Sequence, residues 1–236
     1  MFEDLNDNSG FTPQSVTEAQ PSKPSYQGNG QSGGGQQNSY SQNRSYGGGG
    51  GGNFQRKEDV VQEPYLPVVV FVDKEFTEEA KTSLYNIASK LIAKGYTVRI
   101  FGDDKGFVDR VCAISTKFVE VYLPWRGFNE IDSKHTFNAL TCKDIAAKHF
   151  SAWEKIPDAV KAILASQVRM VFGDRNNSVA MCVITWTKNG ESRGPEVTKE
   201  TGRIGFLIKM ASSYGFPILN ISKQSSGPII ERTFGI

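Results

Sequence analysis

The stretch Val179-Ala-Met-Cys-Val-Ile-Thr-Trp186 opens the unit that decides the fold. This apolar run predicts a buried strand, and it leads into the polar loop Thr187-Lys-Asn-Gly-Glu-Ser-Arg-Gly-Pro195. After Thr201-Gly-Arg-Ile-Gly205, the pattern predicts a helix over residues 206–214 and a second strand over residues 216–221. A strand, a glycine-bearing loop, a helix and a strand form a crossover, which makes the two strands parallel. Backbone amides in such a loop and at the following helix start can hold a phosphate.

The first 62 residues differ from the rest of the chain in composition. They hold half of the 24 glycines, with many Gln, Ser and Asn residues and almost no aliphatic clusters. Such a segment buries too little apolar surface to offset its chain entropy. We therefore predict a disordered tail over residues 1–62 and one α/β domain over residues 63–236. Spaced rings such as Tyr26 and Tyr40 suit contact with single-stranded nucleic acid, but the few basic residues favour a tether for a recombination or replication protein.

The overall composition narrows the class of protein. The formal net charge of +2 is compatible with a polyanionic partner and equally with an ordinary solvated surface. Cys112, Cys142 and Cys182 lack the spacing of a zinc site, and an odd, unpatterned count fits a reducing compartment. No run approaches the roughly 20 apolar residues that cross a bilayer, and no hydrophobic signal core is visible. We expect a cytoplasmic protein with no membrane partner, no bound metal and no cofactor.

Strands and helices alternate through the first half of the predicted domain. Residues 68–72 are typical of a buried strand, a helix begins at Thr77 and ends at Gly95, and residues 96–101 predict the next strand. A helix between two strands in this way forms a compact parallel unit. Further strands are predicted at residues 117–122 and 168–172, with helices at residues 107–112, 141–149 and 157–166.

Two loops follow predicted strands in this half and carry candidate ligand-binding residues. Gly102 and Gly106 permit close backbone approach, and Lys105 between them can meet a phosphate, although an ordinary turn explains the same pattern. Trp125 and Arg126 follow the next strand, where they can stack on a base and clamp a phosphate or simply form a lid that packs on the core. Loops at the carboxyl ends of parallel strands are where open α/β sheets bind ligands.

The loop before the last predicted helix is the third candidate. It carries Lys188, Arg193 and Arg203, and Gly202 and Gly205 lie near the helix start, where backbone amides are free. A flexible, solvated loop is the alternative interpretation. No nucleophile–base pair and no GxxxxGK[ST] phosphate loop is visible, so no catalytic residue is predicted.

Several stretches resemble, in order and spacing, the Rossmann-like superfamily that includes the DNA-processing, recombination-mediator protein A family, especially shorter phage-type members. The resemblance covers most of residues 66–222, and its motifs lie at residues 98–109, 120–129, 149–153, 181–190, 202–205 and 215–220. It implies a three-layer Rossmann-like fold with a mainly parallel sheet behind the Gly/Gln/Ser-rich tail. It also implies binding of nucleic acid or nucleotide, with single-stranded DNA handling in recombination as the family role. We therefore expect a non-catalytic protein that binds single-stranded DNA in recombination or replication, in the cytoplasm of a bacterial host cell.

The sequence also departs from the pattern of that family. A Gly-Gly-Thr-Gly-like loop stands here as Gly202-Arg-Ile-Gly205, which lacks the hydroxyl that helps to hold a phosphate. Related phosphoribohydrolases use an Arg and a Glu near the glycine loops, and Arg203 and Glu200 are the nearest candidates. The alternatives are therefore such a nucleotide-binding enzyme or a nucleotide-sensing scaffold, and the oligomeric state stays open. For DNA, the expected contacts are Trp125 on a base and Lys105, Arg126, Lys188, Arg193 and Arg203 on phosphates.

Overall fold

The computed structural model describes residues 66–136, 140–174 and 178–236. The predicted tail lies outside these residues. In the described part, five strands form one sheet in which every pairing is parallel. The strands are β1 (Val68–Val70), β2 (Val98–Phe101), β3 (Val119–Tyr122), β4 (Val183–Thr185) and β5 (Ile218–Asn220).

The strand order is β3-β2-β1-β4-β5, which confirms the predicted Rossmann-like sheet. From β1 the chain first moves outward through β2 to β3, and it then returns to the other side of β1 for β4 and β5. This reversal makes the gap between β1 and β4 the topological switch point, and in open α/β sheets ligands bind at the carboxyl ends of the strands beside such a point. The predicted crossover over residues 179–221 is confirmed, because β4 and β5 pair in parallel around an intervening helix.

Helices cover both faces of the sheet and give three layers. One face carries α1 (Glu78–Ala93) and α2 (Lys105–Cys112), and α6 (Ser226–Phe234) packs beside α1. The other face carries α4 (Asp158–Phe172), which lies against β2, β3 and α5 (Ile204–Ser213), with α3 (Leu140–Lys148) packed on α4. The core between these layers is apolar, and all three residues of β1 are fully buried.

Local sequence accounts for α1. The Thr77 side chain accepts a hydrogen bond from the Ala80 amide and so caps the helix, and two glutamates in the first turn complement the helix dipole. Leu84 and Leu91 are fully buried on the face that meets the sheet. The helix ends before Gly95, whose φ of 88° suits glycine. The helix predicted between Thr77 and Gly95 is confirmed.

The strand predicted at residues 168–172 is wrong, because these residues form the last turn of α4. Helix α4 lies between the sheet on one side and α3 and α5 on the other, and every residue from Leu164 to Val171 is buried. A helix surrounded in this way loses its apolar and polar alternation, so its sequence is like that of a buried strand. The strand predicted at residues 179–186 is present but covers only Val183–Thr185.

Candidate functional site

A basic residue follows every strand of the sheet. Three or four positions beyond the last residue of each strand, the chain places a lysine or an arginine. Neighbouring strands lie about 4.8 Å apart, so residues that follow five strands spread over about 20 Å along the carboxyl edge of the sheet. We call this set the basic row; in the order of the strands across the sheet it is Arg126, Lys105, Lys74, Lys188 and Lys223.

Carboxylates neutralise two members of the basic row. The Lys105 Nζ lies 3.2 Å from a carboxylate oxygen of Glu130, and the Lys223 Nζ lies 3.4 Å from one of Glu196. The other three members, Lys74, Arg126 and Lys188, are exposed and make no ion pair with any described residue. They follow β1, β3 and β4, so unpaired positive charge occurs on both sides of the switch point.

The Trp125 side chain is exposed beside Arg126. It is 41% accessible, which is unusual for a large apolar side chain in this domain. The Phe128 ring meets it edge to face at 4.9 Å between centroids, and Phe128 in turn packs against the buried Phe101 at 5.9 Å. The indole is therefore held against the core through Phe128 while a large part of its surface stays accessible.

Arg203 lies near the carboxyl ends of β1 and β2, where two carboxylates hold it. Its guanidinium donates to Asp103 at 2.8 Å and 3.1 Å and to Asp73 at 2.5 Å. Both aspartates are buried; Asp73 lies three residues beyond the end of β1, and Asp103 lies two residues beyond the end of β2. Burial raises the pKa of the Asp73 carboxyl, although a hydrogen bond from the Glu75 amide and the charge of Arg203 oppose this. A phosphate at Arg203 would have to displace two buried carboxylates, so the visible role of this arginine is to tie the start of α5 to β1 and β2.

The long loop between β4 and α5 is held by a buried polar network. The Glu191 carboxylate accepts hydrogen bonds from the hydroxyls of Thr187 and Thr201. The Asn220 amide at the end of β5 donates to the Thr187 hydroxyl and to the Glu191 carbonyl. Burial alone would raise the pKa of Glu191, but the hydroxyl donors outweigh it and lower that pKa. The buried polar groups of this loop therefore have internal partners, and the loop packs as part of the domain.

The four predicted phosphate-loop glycines have different surroundings. A Cβ on Gly102 would lie 2.2 Å from Leu123 Cδ2, and one on Gly205 would lie 2.8 Å from Val197 Cγ1. These two glycines allow close packing within the protein. A Cβ on Gly106 would meet only Asp104, at 3.5 Å, and one on Gly202 would meet nothing within 4 Å. Gly106 and Gly202 are exposed, so their backbone is accessible to a ligand.

The two remaining candidates of the β4–α5 loop do not converge on Arg203. Arg193 pairs with Glu196, with its Nε 2.8 Å from the carboxylate. Glu200, the candidate for a phosphoribohydrolase-like base, accepts a hydrogen bond from Asn189 at 3.3 Å, whereas Arg203 binds the two aspartates. Sequence reasoning missed Lys74, Lys223 and the aspartate pair. The signal that could have found the lysines is their position within four residues of the predicted strand ends.

The usual dinucleotide position is acidic in this domain. Rossmann proteins hold a pyrophosphate at the glycine-rich turn between the first strand and the first helix. Here that turn is Phe71-Val-Asp-Lys-Glu-Phe76, which contains no glycine, and Thr77 caps α1. The first turn of α1 also carries two glutamates, which repel a phosphate. A dinucleotide cofactor at this turn is therefore disfavoured.

Comparison with protein-family models, with curated proteins and with solved structures found no match to this chain. Within the described residues, no group of three or more His, Cys, Asp or Glu side chains is placed to hold a metal ion. In the same part of the chain, no helix has the length and apolar character needed to span a bilayer. The fold and site geometry thus define an α/β domain with a partly unpaired basic carboxyl edge and one exposed tryptophan.

Proposed function

We propose that this protein binds single-stranded DNA along the carboxyl edge of its sheet. The observation that carries the proposal is the basic row, in which Lys74, Arg126 and Lys188 are exposed without a carboxylate partner among the described residues. Lysine and arginine side chains that neutralise phosphates supply most of the sequence-independent affinity of a protein for nucleic acid. The three unpaired members follow β3, β1 and β4 and so span about 14 Å of this edge, a length that covers several phosphates of a single strand.

The exposed Trp125 favours a single strand over a duplex. An unpaired base offers a flat face for stacking, whereas a base inside a duplex is already stacked on both sides. Because Trp125 lies beside the unpaired Arg126, one nucleotide can place its base on the indole and its phosphate at the guanidinium. In this mechanism the lysine and arginine side chains fix the path of the DNA backbone, and the Trp125 ring adds affinity with little preference for DNA sequence.

The biological setting belongs to the same proposal and rests on the family resemblance of the motifs. A non-catalytic protein that coats or presents a single strand would act in recombination or replication, with the amino-terminal tail as a tether for a partner. Exposed carboxylates beside the row, such as Glu75 and Glu130, oppose phosphate and limit the affinity. We therefore expect binding that falls steeply as salt rises.

A fluorescence-anisotropy titration of the full-length protein with a labelled strand of about 30 nucleotides tests the proposal at two salt concentrations. The variant Lys74→Ala/Arg126→Ala/Lys188→Ala should bind at least tenfold more weakly and show a shallower salt dependence. Lys90→Ala/Lys94→Ala/Lys117→Ala removes the same charge from the opposite edge and should bind almost as the unmodified protein does. Equal losses in both variants would indicate a non-specific charge effect and contradict the proposed site.

Two further measurements, with a truncated chain and with a duplex competitor, test where the DNA binds and which form of DNA is preferred. A chain that starts at Glu63 should keep its salt-sensitive binding if the predicted domain holds the site, and loss of binding would move DNA contact to the tail. A duplex of the same sequence should compete poorly with the strand. If neither form binds the strand at low salt, the proposal is wrong, and a thermal-shift screen of nucleotides would then test the nucleotide-binding alternative.

A further inference from the structure

The loop after β3 has an unusual backbone. Asn129 and Glu130 are the two described non-glycine residues with positive φ, at 52° and 58°, and they are adjacent. Gly127, two residues earlier, has a φ of 75°. Left-handed backbone at consecutive residues with a Cβ costs energy and persists only where surrounding contacts enforce it. This is the same short loop that presents Trp125.

The side chain of Asn129 supplies the enforcing contacts. Its Nδ2 donates to the Gly102 carbonyl at 2.9 Å and to the Asp103 carbonyl at 3.0 Å, both at the carboxyl end of β2. The Lys105 ammonium adds a second tie, with contacts to the Glu130 carbonyl at 3.4 Å and to its carboxylate at 3.2 Å. Asparagine suits this position because it tolerates the left-handed region and carries two amide donors on one nitrogen.

The hydrogen bonds of Asn129 and Lys105 affect Trp125 through the backbone and the ring of Phe128. The Phe128 amide donates to the Trp125 carbonyl at 3.3 Å, and the Phe128 ring packs edge to face on the indole. Phe128 directly precedes Asn129, so the anchor on β2 sets where that ring lies. A stacking ring that is already ordered loses less conformational freedom when a ligand binds.

We infer that Asn129 is a positioning residue for base stacking, which holds the Trp125 ring ready for an unpaired base; this inference rests on the proposed function. Asn129 itself touches no ligand in this arrangement. It acts through Phe128 and Trp125, and the strained backbone is maintained by its two hydrogen bonds to β2. Lys105, predicted to contact a phosphate, contributes by holding Glu130 in place.

The test uses Asn129→Gly in the full-length protein, since glycine accepts the same backbone without strain and removes both amide donors. Its affinity for a normal single strand should fall about fivefold to tenfold, whereas its affinity for an abasic strand of the same length should not change. The matched control is Asn189→Gly, which removes an exposed asparagine amide from the β4–α5 loop and should leave both affinities as they are. Equal losses on both strands, or no loss on either, would overturn the inference.

A double-variant comparison and a DNA-free measurement complete the test. In Trp125→Ala, adding Asn129→Gly should cause no further loss of affinity, because the ring that Asn129 positions is gone; additive losses would contradict the inference. In a Trp153→Phe/Trp186→Phe background, Trp125 is the only tryptophan, and Asn129→Gly should speed the depolarisation of its selectively excited fluorescence. An unchanged depolarisation rules out the positioning role even if DNA binds. If the unmodified protein binds neither strand, the proposed function fails and the inference fails with it.

Discussion

The loop after β3 and the loop between β4 and α5 contain similar residues and differ in what those residues contact. In the β4–α5 loop, Arg203 is held by two buried aspartates and Arg193 by Glu196. In the β3 loop, Trp125 and Arg126 face solvent, and the internal contacts are made by neighbouring side chains instead. A basic residue near a glycine loop therefore predicts only that this residue lies at the carboxyl edge of the sheet. Whether its charge is available depends on nearby carboxylates, which lie in the same loop for Arg193 and after other strands for Arg203.

The largest expected effect concerns the β4–α5 loop, in which carboxylates pair with Arg203 and Arg193. Arg203→Met leaves Asp73 and Asp103 buried without their cation, so we expect the free energy of unfolding to fall by about 3 kcal/mol. The loss should be smaller than for a fully buried ion pair, because the guanidinium is partly exposed. Urea denaturation monitored by circular dichroism measures this. Arg193→Ala, at the exposed pair with Glu196, should cost less than about 1 kcal/mol.

The Arg203 prediction also has a rescue variant. Arg203→Met combined with Asp73→Asn and Asp103→Asn removes the uncompensated charges and should recover part of the lost stability. A stable Arg203→Met protein that no longer binds DNA would show that Arg203 contacts the ligand, and the contrast between the two loops would then be wrong.

The second prediction concerns the glycines. Gly102→Ala places a methyl group 2.2 Å from Leu123 Cδ2, so the core must shift, and we expect a loss of about 2 kcal/mol in the free energy of unfolding. Gly106→Ala has room at 3.5 Å from Asp104 and lies in the first turn of α2, so its stability should change by less than about 0.5 kcal/mol. If both variants lose DNA affinity without losing stability, these glycines serve the ligand rather than the packing.

The third prediction concerns the loop after β3, in which Trp125 and Arg126 are exposed. Trp125→Ala should weaken binding of a single strand about tenfold, because one stacked base is lost, and should leave the slope of log affinity against log salt unchanged. Arg126→Ala should instead reduce that slope by about one phosphate contact. Anisotropy titrations at four salt concentrations separate the two effects. A slope change in Trp125→Ala would contradict the separation of stacking from charge.

The smallest effect is a dependence on pH in the β4–α5 loop. Hydrogen bonds from the Ser192 amide and the Arg193 side chain, with help from Lys223, lower the pKa of Glu196 to about 2. A lowered carboxyl pKa contributes stability above the pKa of the unfolded chain, near 4.3, and that stability disappears as the pH falls from about 5 towards 2. Because solvent screens this surface carboxylate, the contribution should stay below about 1 kcal/mol.

Comparing thermal unfolding of the unmodified protein and Glu196→Gln at pH 7 and pH 3 measures the pH effect. The difference in midpoint between the two proteins should be larger at pH 7. An equal difference at both pH values would mean that Glu196 is not stabilised as a carboxylate.

Much of the fold could be predicted from local patterns. Thr77 and Gly95 bracket α1, and the alternation of apolar runs with amphipathic segments predicts a parallel sheet, because a helix between two strands returns the chain to the edge where the first strand began. Residues 168–172 could not be assigned correctly from the pattern. Both sides of α4 are covered in the folded protein, and a run that is buried all round carries no polar periodicity that separates a helix from a strand.

For the site, the sequence by itself determined which residues follow the strands and therefore lie along the carboxyl edge. The position of a residue just after a strand is read from its neighbours in the sequence. A parallel sheet then brings the carboxyl ends of all its strands to one edge. Whether Arg203 is paired depends instead on the tertiary structure. Asp73 and Asp103 lie 130 and 100 residues from Arg203, and Asn129 reaches back 27 residues to the Gly102 carbonyl. Partners this distant in the chain meet only when the sheet has formed, so local sequence patterns do not record them.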